Sequence, residues 1–154
     1  MEKMTLGRAL RYKKRVVETV RNLESDIQSY NCVLEGSTPE VDVRKALEMR
    51  EAWVNHLVDL KLKIQEATRP IQKLVLELAE IKSTIAFLQR VNVQHGKTYD
   101  RWSEEKPQEW FANIRKAERD LRVVDLQNMI DKLQTEIDEF NAKTLIEIDV
   151  PSLS

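Results

Sequence analysis

Apolar residues recur along most of this chain at alternating steps of three and four. In the first segment they are Leu6, Ala9, Val16, Val20, Leu23, Ile27, Tyr30 and Leu34. That spacing sets them on one face of a helix, and such a face packs against another. The pattern predicts a helix over 5–34 with Thr5 as its cap. Lys13 breaks the stripe, standing where an apolar residue is expected. Glu35-Gly36-Ser37-Thr38-Pro39 ends the segment: Gly36 takes the left-handed position past the helix, and Pro39 bars continuation.

Asp42 is a good cap for the next helix. Its stripe runs Trp53, Leu57, Leu60, Ile64, Ala67, Ile71, Leu74, Leu78, Ile81, Ile85, Leu88, and it crosses Pro70 without losing phase. Two readings are open. Pro70 opens a new helix capped by Thr68, at a sharp corner. Or one helix runs over 42–90 with a kink at Pro70, roughly 70 Å long at 1.5 Å per residue. The preserved phase favours the second, since a loop has no reason to keep heptad register.

The period fails over 91–119. Tyr99 to Trp102 and Trp110 to Arg115 flank the polar stretch Ser103–Gln108, a pattern that suggests a β-hairpin. A helix starting near Pro107 is the rival. Three-four spacing returns in Val123, Leu126, Ile130, Leu133, Ile137 and Phe140, giving a helix over 120–143. In 144–154, Leu145 to Val150 alternates as a short strand would, to pair with the hairpin or with a partner chain, before a frayed tail. The expected fold is mainly α: a single domain over 1–154, built as an elongated antiparallel helical bundle or coiled coil. It has a long Pro70-kinked central helix and a small β-hairpin insert.

Composition narrows the classes. The 154 residues are 42% apolar and 33% charged, too apolar for a disordered chain. Three glycines and four prolines exclude a many-turned β-sandwich and leave no place for a glycine-rich phosphate loop. A net charge of −1 argues against a globally basic nucleic-acid binder. The one cysteine, Cys32, cannot close an intramolecular disulfide, which favours a reducing compartment. The first residues carry no apolar signal-peptide core, and no stretch reaches the roughly 20 apolar residues of a membrane span. The expected location is the cytoplasm, away from membranes. Long helices also leave apolar stripes uncovered, at a loss of roughly 25 cal/mol per Å². A homo-oligomer is the expected remedy.

The stretch Asn31-Cys32-Val33-Leu34-Glu35-Gly36-Ser37-Thr38-Pro39, placed between a first helix and a long second one, resembles the septicolysin-like small helical proteins of bacteria and their phages. There an Asn-x-x-x-Glu-Gly-x-x-Pro pattern follows the first helix. The carboxyl end is similar too, in Val124-Asp125-Leu126-Gln127, Ile137-Asp138-Glu139-Phe140-Asn141 and Thr144, with Ala142 where a tryptophan often stands. The resemblance implies a helical architecture and a bacterial or phage source. It implies no activity, because none is established for that family.

Catalytic constellations are nearly absent. A zinc site needs three or four nitrogen or sulfur ligands, which two histidines, His56 and His95, and one cysteine barely provide, and no His-Glu-x-x-His, Cys-x-x-Cys or nucleophile elbow occurs. His56 lies off the apolar stripe and reads as a surface residue. No cofactor is expected. The informative feature is basic: Arg8, Arg11, Lys13, Lys14 and Arg15 crowd the start of the first helix. An antiparallel turn through 35–41 makes facing residues sum to about 76, which brings Lys61, Lys63, Arg69 and Lys73 to that end. A second fold-back summing to about 210 brings Asn141 and Lys143 toward Arg69. Cations gathered this way require an anion or a salt-bridge network, with Asp59, Glu66 or Glu139 as candidates.

The site so expected comprises Arg8, Arg11, Lys13, Lys14, Arg15, Arg69, Lys73 and Asn141, around a phosphate-bearing small molecule such as a nucleotide. A secondary candidate is the hairpin region, with Arg90, His95, Lys97, Arg101 and Trp102, where rings and cations interleave. The function expected is a non-enzymatic, oligomeric protein that sequesters a nucleotide-type signal. A phage protein blocking a bacterial defence signal in the host cytoplasm is one concrete form. The alternative is a structural or protein-interaction coiled coil with no small ligand.

Overall fold

The structure, a computed structural model, describes residues 1–99 and 106–152. It is mainly helical, with two small antiparallel strand pairs. The elements are β1 (Glu2–Thr5), α1 (Leu6–Tyr30), α2 (Val43–Thr68), a 3-10 turn (Arg69–Ile71), α3 (Gln72–Arg90), β2 (Gly96–Thr98), β3 (Gln108–Trp110), α4 (Lys116–Lys143) and β4 (Leu145–Ile148). The chain divides into two compact units, Met1–Ile71 with Asp138–Ser154, and Gln72–Ile137.

In the first unit α1 and α2 form an antiparallel hairpin. Thr5 caps α1, its hydroxyl oxygen accepting the Arg8 N–H at 3.2 Å, and Asp42 caps α2 by accepting the Lys45 N–H at 3.1 Å. Leu6, Ala9 and Val16 meet Leu60 and Ile64 in the core, with Leu10, Tyr12, Trp53, Leu57 and Ala67 packed around them. Tyr12 explains how Lys13 is tolerated in the stripe. The tyrosine one residue earlier turns inward, and Lys13 is only half-buried.

β1 was not expected, and β4 pairs with it, while β2 and β3 pair with each other. The register runs Glu2↔Ile148 to Thr5↔Leu145. Alternation sends Met4 from one strand and Ile146 and Ile148 from the other into the core, while Leu145 stays outside. The Leu6 N–H, free at the helix start, donates to the Thr144 carbonyl at 2.8 Å. Four residues carrying one inward side chain give no readable period, so only the distant partner makes β1 a strand.

Two expected helix ends are corrected. α1 ends at Tyr30, not 34, because α2 begins only at Val43 and Leu34 has nothing to pack on; it is 83% exposed. Gly36 has φ +85°, but it serves a separate turn in which the Ser37 N–H reaches the Leu34 carbonyl at 2.9 Å. A positive φ at the third position is what a type II turn requires. α2 stops at Thr68, and Arg69–Ile71 form the 3-10 turn that holds Pro70. Thr68 caps nothing: its hydroxyl donates back to the Ile64 carbonyl at 2.6 Å.

In the second unit the expected stripes are the inward ones. Leu78 and Ile130 are buried, and Leu74, Ile81, Ile85, Leu88, Val123, Leu126 and Leu133 are half-buried. Ile81 and Met129 line one groove with Glu77 and Leu133, so α3 and α4 face each other at sums near 210, as antiparallel helices rising equally must. α4 starts at Lys116, four residues earlier than expected. The Lys116–Arg119 stretch carries no large apolar residue and so no periodic signal. β2 and β3 pair with Gly96 opposite Trp110 and Thr98 opposite Gln108. Part of the polar stretch expected to turn between them lies outside the described residues.

Candidate ligand-binding cleft

Residues 8, 12, 15 and 19 are spaced four, three and four, so they share one face of α1. That face forms one wall of a cleft of about 320 Å³. β1 supplies Glu2 and Met4, α2 supplies Trp53, and Val150 closes the end beyond β4. The cleft therefore holds two guanidinium groups, two aromatic rings, the Thr19 hydroxyl and one carboxylate.

The carboxylate is occupied. Glu2 Oε1 lies 2.8 Å from Arg8 Nη2. Arg15 instead sits over an aromatic ring, its guanidinium carbon 5.7 Å from the Tyr12 centroid. That arrangement leaves the fork of Arg15 available to an anion while the ring holds its cation. Thr19 donates its hydroxyl proton to the Arg15 carbonyl at 3.0 Å, which also steadies the turn beneath Arg15.

Behind the cleft, Tyr12 Oη and His56 Nε2 are 2.9 Å apart, joining α1 to α2. The Tyr12 and Trp53 rings stand edge-on to the His56 imidazole at 5.7 and 5.8 Å. His56 is thus half-buried, packed against two rings. Burial pushes its pKa below the usual histidine value, against the raising effect of Asp59 and Asp149 and with the lowering effect of Lys63. Burial raises the Tyr12 phenol, with Arg15 opposing and Glu2 assisting. On its other side His56 lines a second cleft of about 420 Å³, with Asp59, Lys63, Glu66 and Asp149. One hydrogen bond therefore stands between a cationic cleft and an acidic one.

Of the expected residues, Arg8 and Arg15 come together. Arg11 and Lys14 project from exposed positions and Lys13 from a half-buried one, none lining the cleft. Arg69 is exposed. With Tyr12 opposite His56, Arg8 is level with Leu60, so Arg69 lies about 13 Å further along the helix axis. Lys63 reaches Asp149 at 4.0 Å, and Lys73 pairs with Glu77 at 3.6 Å. Lys143 pairs with Glu139 at 3.7 Å. Asn141 meets the start of α1: its carbonyl oxygen is 3.5 Å from where a Cβ on Gly7 would sit. Sequence reasoning passed over Tyr12, Thr19, Trp53 and Glu2. The four-residue step from Arg8 to Tyr12, beside the Lys13 gap, was the available signal.

The secondary candidate is a fastened turn. His95 Nδ1 accepts the Ala112 N–H at 3.2 Å, and the His95 ring stands edge-on to Phe111 at 5.6 Å. The Trp110 indole donates to Thr98 Oγ1 at 3.1 Å, and Gly96 has φ +93°. Arg90 and Lys97 are exposed, and Arg101 and Trp102 lie outside the described residues. Among the described residues no group of three or more His, Cys, Asp or Glu is placed to hold a metal, and no helix is long and apolar enough to cross a membrane. No protein-family model, curated protein or solved structure matches the chain.

Proposed function

We propose that this protein is a non-enzymatic binding protein that holds a phosphate-bearing small molecule of nucleotide type between β1, α1 and α2. The observation that carries the reading is the convergence of Arg8, Arg15, Tyr12 and Trp53 on one cleft. Arg15 offers a planar donor fork suited to a phosphate, and the rings offer faces suited to a base. At about 320 Å³ the cleft falls at the small end of ligand sites. Its one carboxylate is tied to Arg8, so no free base faces the ligand, which favours holding over turnover. Sequestration of a signal nucleotide is the role such a holding site would serve, and a phage protein that blocks a bacterial defence signal is one form of it, by analogy with the phage source that the resemblance implies. A ligand held this way is recovered intact after denaturation.

The test is titration calorimetry with a panel of nucleotides. Arg15→Ala and Trp53→Ala each weaken binding about ten-fold or more, while Arg69→Ala leaves it unchanged. No binding by the wild-type chain, or equal binding by all four proteins, rejects the reading.

Self-association belongs to the same proposal. The stripe stays in phase across Pro70, from Ala67 through Ile71 to Leu74, as a kinked coiled-coil helix requires. The second reading, a protein-interaction module, is favoured by one observation: Leu76, Phe87 and Leu121 are 60%, 58% and 64% exposed. Capture of a specific partner unaffected by nucleotides supports it.

A further inference from the structure

The α3/α4 unit has a thin core. Leu78, Ala112, Ile130 and Ile137 are its buried apolar residues among those described, while Leu121, Val124 and Met129 remain 64%, 54% and 49% exposed. The stripe through Ile130 is already turned toward α3. Beside it on α4 runs a second line at three-four spacing: Arg122, Asp125, Met129, Lys132, Glu136. At 100° per residue these five share one flank of the helix. Their order is cation, anion, methionine, cation, anion. Reversing the direction inverts every sign about Met129.

We propose that this flank is an interface between two copies of the chain, paired antiparallel across α4 about a two-fold axis at Met129. Arg122 of each copy then faces Glu136 of the other, and Asp125 faces Lys132. A two-fold contact must be self-complementary, residue i against j and j against i, and this line meets that condition with opposite charges at both pairs. A parallel copy would set like charges against each other, so the line also selects the direction.

The groove between α3 and α4, about 510 Å³, opens on the same flank, with Ile81 and Leu133 among its lining and Met129, Lys132 and Glu136 along one side. It receives the thioether of Met129 from the second copy, an adaptable side chain for an irregular apolar slot. Glu77 and Glu80 form the opposite lip, Glu77 paired with Lys73 at 3.6 Å. Arg122 pairs along its own helix with Glu118 at 3.4 Å, an exposed contact weak enough to be shared.

The inference rests on the self-association in the reading above and assigns its surface; it does not depend on a nucleotide. The test is sedimentation equilibrium of the full chain, with circular dichroism to confirm that each variant stays helical. The wild type sediments as a dimer. Glu136→Arg or Arg122→Glu alone weakens association about ten-fold or more, because like charges then meet, and the double exchange restores it. In a Cys32→Ser background, Met129→Cys gives a disulfide-linked dimer on mild oxidation. A monomer at every concentration overturns both the interface and the oligomer. A dimer indifferent to both reversals, or one that fails to cross-link, overturns the interface alone.

Discussion

Tyr12 shows how much one side chain settles here. It fills the gap that Lys13 leaves in the stripe, bonds His56 across the helix pair, and carries the ring on which Arg15 rests. Tyr12→Phe keeps the ring and removes only the hydroxyl, leaving the His56 nitrogen without that partner. The expected loss is about 1 kcal/mol, read from the urea midpoint. His56 adds a pH dependence. The fold favours its neutral form, so on acidification the unfolded chain takes up the proton first. Stability is therefore full above the ordinary histidine value of about 6.5 and falls as pH drops from there toward the lower folded value. Thermal melts between pH 8 and pH 5 show this fall in the wild type and a flatter profile in His56→Asn.

At the scale of elements, the two turns with positive φ differ in consequence from the glycine in α1. Gly36 at φ +85° has open space around it, so Gly36→Ala costs backbone strain alone, about 1 kcal/mol. Gly7, in helical conformation with its nearest contact at 3.5 Å, accepts Ala without loss. Thermal denaturation of the two variants separates these outcomes. The helices were legible because burial repeats with the helical turn, and every stripe named from α1 to α4 except its Leu34 end is inward. What was not legible depends on distance along the chain. β1 needs β4, Tyr12 needs His56, and the α1 terminus depends on where α2 begins to cover it. The basic run at the start of α1 was visible as composition. Which of its members share a cleft followed from packing: Arg8 and Arg15 lie on the face of Tyr12, and Arg11 and Lys14 do not.

Across the whole molecule the two units differ in how sequence is spent on them. The second is one continuous run, Gln72–Ile137, whereas the first takes its parts from both ends. Deleting 145–154 removes Ile146 and Ile148 and uncovers Leu6 and Met4. The expected cost to the first unit is about 3 kcal/mol or more. Hydrogen exchange by mass spectrometry reads it as lost protection in 6–30 and 43–68, with protection in 72–90 retained.

The β1–β4 seam also dictates an order of events at the ribosome. The strand that seals Leu6 emerges some 140 residues after the one it joins, following the register Glu2↔Ile148. The α1–α2 hairpin thus leaves the exit tunnel with its first turn uncovered, and it stays so until translation has run past Ile148. Over those intervening residues of synthesis the nascent chain carries that apolar end bare, open to chaperones or to neighbouring chains.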